Sequence, residues 1–224
     1  MPQAGCFDHQ RATAVSESMQ QTVFTIGHST HSLESFIALL KLHDITALGD
    51  VRSRPYSRIS PQFNRESLKT QLHDVGVTYV FLGDELGARS QDPSCYDRGR
   101  VQYDRLALTE LFRRGLDRVQ EGMRKHRLAL MCAEKEPVEC HRSVLVARHL
   151  TLLGLAVQHI LADGKLESHA ELLDRLMRQL ALPESDLFRS HEDVLSDAYR
   201  IQESRIAYTT AETESAAPPQ WAAP

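Results

Sequence analysis

From residue 22 onward, short apolar runs alternate with longer stretches in which apolar residues recur every three or four positions. VFTIGHS (23–29) runs β-branched and aromatic residues together up to a glycine, which predicts a buried strand. Ser32 then predicts the N-cap of a helix in LESFIALLKLHD, with Phe36, Leu39, Leu40 and His43 on one face. ITALGDVR (45–52) predicts a second strand. A loop containing prolines and arginines leads from it to a short helix over 64–74. The pattern continues with a strand at VTYVFLGDE (77–85), a long helix over 103–124, a strand at RLALMCAE (127–134) and a helix over 138–153. AVQHILAD (156–163) and a helix over 167–180 complete it. The long helix carries Leu108, Leu111, Phe112, Gly115, Leu116, Val119 and Met123 at helical spacing.

Alternating strands and helices predict βαβ units, and strands that are apolar throughout predict a sheet covered on both faces. The expected fold is therefore a Rossmann-like three-layer α/β domain over 22–182, with a mainly parallel sheet of about five strands. Beyond Pro183, Ser190 and Asp193 have the spacing of a capping box and predict a last helix to about 206, a helical extension over 183–206. Residues 1–21 show no steady apolar period, and 207–224 hold two Glu, several prolines and no Lys or Arg. Both ends are expected to be disordered. The single Trp, Trp221, falls in the second of them.

Composition narrows the class. The 224 residues carry 26 Lys+Arg against 30 Asp+Glu, a formal charge of −4, with 42% hydrophobic and 25% charged residues. These are ordinary values for a soluble globular chain. No run approaches the roughly 18 apolar residues of a membrane span. The amino terminus has neither an apolar signal core nor an Arg-rich amphipathic pattern. Four cysteines are too sparse for a disulfide scaffold, so a reducing, cytoplasmic setting without membrane association is expected.

In open α/β sheets ligands gather outside the carboxyl ends of the strands. The predicted strand ends here hold His28 and Ser29, then Asp50 and Arg52, then Glu85, then Cys132 and Glu134, with Cys140, His141 and Arg142 opening the next helix. The loop 51–65 adds Arg54, Arg58 and Arg65 with no acidic residue. Unopposed guanidinium groups grip phosphate or carboxylate with paired hydrogen bonds, and Asp50 is placed to aim Arg52. Tyr56 and Phe63 offer flat faces on which a base could stack. Gly83 and Gly87 flank Glu85 and allow close backbone approach by a ligand.

Three chemistries compete for the segment 132–142. A thiolate at Cys140 or Cys132 could act as nucleophile, with His141 or Glu134 moving protons. Cys132, Cys140 and His141 could hold zinc, with Glu134 as fourth ligand. The two thiols could form a redox pair. The spacing fits none of the standard patterns: Val138 and Val146 stand where a Cys-based phosphatase needs arginine, and seven residues separate the thiols. Cys6 and Cys95 have no partner at metal spacing. No P-loop and no GxGxxG follows a strand, which disfavours triphosphate hydrolysis and dinucleotide binding. No cofactor or metal is expected on the first reading.

Four segments, TIGHST (25–30), DVRSRPYSR with PQFN (50–58 and 61–64), LGDELGAR (82–89) and CAEKEPVECHR (132–142), together resemble the bacterial and archaeal family called domain of unknown function 488. The resemblance covers about residues 22–180. It implies that His28, Ser29, Asp50, Arg52, Arg54, Arg58, Asn64, Glu85, Cys132, Glu134, Cys140, His141 and Arg142 are the family's characteristic positions. The family name carries no activity, so the resemblance supports a site and not a reaction. The expected function is binding, with or without processing, of a phosphate-bearing small molecule such as a nucleotide derivative. In that reading His28, Glu134, Cys132, Cys140 and His141 are the reacting groups. Ser29, Asp50, Arg52, Arg54, Arg58, Asn64, Glu85 and Arg142 shape the ligand site. The alternatives are a nucleic-acid-binding module built on the Arg loop, against which the charge of −4 argues, and a zinc-stabilised domain.

Overall fold

The computed structural model describes residues 22–183 and 189–210. The expectations for residues 1–21, for 211–224 and for Trp221 lie outside the described residues. The strands are β1 (Thr22–Gly27), β2 (Ala47–Asp50), β3 (Thr78–Phe81), β4 (Tyr96–Asp97), β5 (Arg100–Val101), β6 (Leu128–Cys132), β7 (Ala156–Ile160) and β8 (Leu166–Ser168). Six of them form one sheet in the order β3-β2-β6-β1-β7-β8. The first five of that order are parallel, and β8 closes the edge antiparallel to β7.

The helices are α1 (Leu33–Leu42), α2 (Arg65–Asp74), α3 (Gly83–Leu86), α4 (Tyr103–Ala107), α5 (Glu110–Met123), α6 (Arg148–Leu152), α7 (His169–Gln179) and α8 (His191–Ile206). Side chains alternate across each strand. Leu128, Leu130 and Cys132 of β6 therefore join a core with Phe112, Leu116 and Val119 of α5 and with Val144 and Leu150. Ala129 and Met131, between them, meet Phe36 and Leu40 of α1 and Leu68 and Leu72 of α2. The result is the three-layer Rossmann-like α/β fold. Burial on both faces is why the strands read as unbroken apolar runs.

The capping chemistry is local and legible. Ser32 accepts from the Ser35 amide at 3.2 Å, and Ser190 with Asp193 forms a complete capping box on α8. The helical extension is not a free appendage. Val194 and Ala198 of α8 pack with Leu172, Leu176 and Met177 of α7, and Gln202 donates to the Val138 carbonyl at 2.8 Å.

Four local expectations are corrected. The helix over 103–124 is two, because Thr109 accepts from the Phe112 amide at 3.2 Å and starts α5 afresh. Leu108, placed on the buried face by spacing, is 81% exposed at that break. The stretch between the strand expected at 77–85 and this helix, where no element was expected, contains a hairpin, β4–β5, turned by Arg98 and Gly99, both at positive φ as a type I′ turn requires. The helix over 138–153 is a 3-10 turn at Pro137–Glu139, an extended Cys140, a π-helical stretch Arg142–Ala147 and then α6. Residues 207–210, expected in the disordered tail, pair instead with the hairpin: the Val101 amide donates to the Tyr208 carbonyl at 3.0 Å and the Thr210 amide to Gly99 at 2.8 Å.

Candidate functional site

Strand order decides which loops meet. β2, β6 and β1 are neighbours, and their parallel ladders stop together, Asp50 beside Met131 and Cys132 beside Gly27. Their carboxyl ends thereby gather Asp50 and Arg52, Cys132 and Glu134, and His28 at one place. Gly27 is a close-approach position. A Cβ there would lie 1.9 Å from the Glu134 carbonyl oxygen and 3.1 Å from Arg142 Nη1.

One part of the site is a rigid frame. Asp50 is fully buried and accepts from Arg52 Nε at 2.9 Å, Arg52 Nη2 at 2.7 Å, the Arg52 amide at 3.1 Å and the Tyr79 hydroxyl at 2.7 Å. Arg52 Nη2 also donates to the Phe63 carbonyl at 2.8 Å, and Nη1 lies 3.2 Å from His28 Nε2. An arginine only donates, so His28 Nε2 is the acceptor. His28 Nδ1 then donates to the Ser29 carbonyl at 3.0 Å. Burial, and next the Arg52 charge, push His28 down to about 4, so it stands neutral and stacks on Phe63 with ring centroids 4.4 Å apart. Arg52, expected to hold a ligand, is largely spent inside the protein, and so are both nitrogens of His28.

The other part is a cluster of reactive groups. Cys132 ends β6, and Cys140 returns to it after the 3-10 turn. His141 Nδ1 lies 3.6 Å from Cys132 Sγ and 3.9 Å from Cys140 Sγ, while its Nε2 donates to the Val51 carbonyl at 3.1 Å. Cys140 Sγ is 2.9 Å from Glu134 Oε2 and accepts from the Arg142 amide at 3.4 Å. Burial raises the Cys132 thiol, and the neighbouring Cys140 adds to that. Burial also opposes ionisation of Cys140, but hydrogen bonding with Cys132, the Arg142 charge and His141 together hold its thiol well below the usual range. Burial, and then Cys140, raise Glu134. The fully buried Arg142 braces this loop from behind, donating to the carbonyls of Glu134 at 2.6 Å and Lys135 at 3.1 Å.

A cleft of about 230 Å³ opens over the cluster. Cys132, Glu134 and His141 form its reactive wall, with Arg52, Arg54, Arg89, Tyr103 and Tyr208 among the residues around it. A larger hollow of about 540 Å³ lies along the β4–β5 hairpin and α8, lined by residues such as Asp97, Arg100, Gln102 and Glu203. It holds no cysteine or histidine, so the smaller cleft is the chemical one.

Of the remaining predicted residues Arg54 lines the cleft, and the others lie elsewhere. Arg54 and Arg58 are exposed on the loop. Asn64 accepts from the Ser57 amide at 2.6 Å and folds that loop. Ser29 sits at φ 47° with its amide on the Ala133 carbonyl at 2.9 Å. Glu85 pairs with Arg118 on α5. Gly83 and Gly87 give close approach to the protein itself, since Cβ atoms there would lie 2.1 Å from the Arg52 carbonyl oxygen and 2.3 Å from Ser53 Oγ. Phe63 is fully buried and presents no stacking face. Arg89 and Tyr208 line the cleft, with the guanidinium 4.4 Å above the ring. Arg89 had its signal in LGDELGAR, whereas Tyr208 had none, because its place depends on the chain returning to the hairpin.

Fold and site together define an α/β protein with a mainly parallel sheet and a Cys–Glu–Cys–His cluster at the carboxyl ends of its central strands. The model of one family, domain of unknown function DUF488, matches residues 32–149, and the chain belongs to that family. The match takes in β2, β3, β6 and the whole cluster and leaves His28 just outside. No curated protein and no solved structure matches the chain. Among the described residues no helix is long and apolar enough to cross a membrane.

Proposed function

We propose that this protein binds a compact phosphate- or carboxylate-bearing small molecule in the strand-end cleft, where the Cys132–Glu134–Cys140–His141 cluster acts on it. The observation that carries the reading is that one cleft is lined both by reactive groups of that cluster and by Arg54 and Arg89. Of the arginines assigned to the ligand, Arg52 and Arg142 shape the floor and Arg58 is not in the cleft lining, which leaves Arg54 at the rim to meet the ligand. A volume near 230 Å³ is below the roughly 300–1,000 Å³ of pockets for drug-sized ligands. It favours a phosphomonoester or small acid, or the phosphate end of a nucleotide, over a whole nucleotide enclosed.

Titration calorimetry with inorganic phosphate and a small phosphomonoester tests this. A charge-assisted hydrogen bond contributes about 1.5–3 kcal/mol, so Arg54→Ala should weaken binding about 10- to 150-fold while leaving the fold intact. Equal affinity in wild type and Arg54→Ala, or no binding by either, refutes the reading. The nucleic-acid alternative retains exposed Arg54, Tyr56 and Arg58 but loses Phe63 as a stacking platform.

A further inference from the structure

The four groups at the cleft floor face one another at close range. One donor atom each from Cys132, Glu134, Cys140 and His141 lies within 4.8 Å of the other three. The nearby guanidinium of Arg142 is turned to two backbone carbonyls instead. Such a set either holds its protons or shares a metal ion, and three details of geometry favour the metal.

First, a tetrahedral zinc with Zn–S of about 2.3 Å and Zn–N of about 2.0–2.1 Å sets its sulfur and nitrogen ligands about 3.5–3.6 Å apart. The Sγ–Nδ1 separations here are 3.6 and 3.9 Å. Second, His141 gives its Nε2 proton to the Val51 carbonyl, so Nδ1 is the nitrogen that faces the two sulfurs. Metal-bound imidazoles are commonly fixed in that way by their second nitrogen. Third, the Arg142 amide points at Cys140 Sγ at 3.4 Å, a donor that stays with the sulfur when the thiol proton gives way to a metal. Cys132, Cys140 and His141 are all buried, whereas Glu134 is exposed on the side that lines the cleft.

We infer that Cys132, Cys140 and His141 bind one zinc(II) ion, with the Glu134 carboxylate in a fourth place that an anionic ligand can take. Binding releases the thiol protons to solvent and leaves three fixed protein ligands with one exchangeable position, the arrangement of catalytic zinc and not of closed structural sites. The sequence raises this set only as an alternative, because the seven residues between the thiols match no standard zinc spacing. The 3-10 turn and the extended Cys140 are what fold the interval back on β6. The metal follows from the four groups alone, whereas its role as receptor for an anion rests on the function proposed above.

The test uses the full chain, kept reduced, purified from zinc-supplemented medium and then reconstituted with cobalt(II). About one zinc per chain is expected, together with thiolate-to-cobalt charge-transfer absorption and the intense visible bands of a tetrahedral site. Cys140→Ser should lose both. Glu134→Gln, which keeps the size of the side chain and a polar end beside Cys140, should keep the metal and shift the visible bands. Absence of stoichiometric zinc together with no cobalt uptake by the folded, reduced wild type overturns the inference. So does cobalt absorption unchanged in both variants. If phosphate binds the metal-free chain as tightly as the loaded one, the metal's part in ligand capture is overturned and the cleft reading survives. If cobalt binds and phosphate binds neither form, the metal stands and the function proposed above falls.

Discussion

Replacing Asp50 by asparagine removes one charge from an ion pair in which Asp50 is wholly buried and Arg52 is 6% exposed. Four donors converge on that carboxylate: the Arg52 amide, two guanidinium nitrogens and the Tyr79 hydroxyl. An asparagine offers one acceptor oxygen and turns an NH2 group toward donors that then have no partner. Breaking a buried pair from one side costs about 3–5 kcal/mol, because the surviving charge stays in the interior uncompensated. With an m-value of about 2 kcal/mol/M, that moves the urea midpoint down by roughly 2 M. Tyr79→Phe removes one donor and no charge, and should cost only about 1–2 kcal/mol. The double variant Asp50→Asn/Arg52→Met should lose less than the sum of its single variants, since no orphan charge remains. Urea unfolding followed by circular dichroism measures all of these. An Asp50→Asn chain within about 1 kcal/mol of wild type would show that the frame is solvated, and would refute the account of Arg52 as a structural residue.

Two further outcomes are expected. Thr25, His159, His169 and Tyr199 form a buried hydrogen-bonded chain with steps of 2.7, 3.0 and 2.8 Å. The chain is satisfied with both imidazoles neutral, and burial holds His169 down at about 4. Burial holds His159 well down too, helped by the repulsion a second proton on His169 would bring and by the charges of Arg142 and Arg175. Because the unfolded histidine binds its proton near pH 6.5, this stability is present above that pH and is lost as pH falls toward 4. For His169 alone it amounts to about 2 kcal/mol between pH 7 and pH 5. His169→Gln should flatten that part of the pH–stability curve, and an unchanged slope would exclude the histidine pair as its source. Gly27→Ala puts a Cβ 1.9 Å from the Glu134 carbonyl oxygen, against an ordinary contact of 3.4 Å. It should cost about 1–3 kcal/mol in urea unfolding and displace Glu134 from the cluster, weakening phosphate binding even where the fold persists; binding equal to wild type would show that the Glu134 loop is free to move.

The residues at the strand ends were legible because polar groups interrupt apolar runs just where parallel strands stop. Cys132, Glu134 and Asp50 could be placed at one edge by that rule alone. What each group does was not legible. Arg52 and Arg54 stand two residues apart in one loop, yet the first turns inward to Asp50 while the second is exposed. A count of loop charges cannot separate them, because the difference depends on which face of β2 meets His28 and Phe63. The break at Thr109 was hidden for a related reason: Leu108 continues the helical spacing, and only the hydroxyl bond to the Phe112 amide ends one helix and starts another.

By itself the sequence determined the alternation of strands and helices, the caps at Ser32 and Ser190, and the edge of the sheet at which the chemistry gathers. These follow from period, propensity and local hydrogen bonding, all of which act over a few residues. Only the tertiary structure decided that β6 lies between β1 and β2, and hence that Cys132 faces Cys140 and His141 at the floor of one cleft. That placement is set by the packing of helices against both faces of the sheet and by the hydrogen bonds of one buried ion pair to Phe63 and Tyr79, contacts between residues distant in the chain.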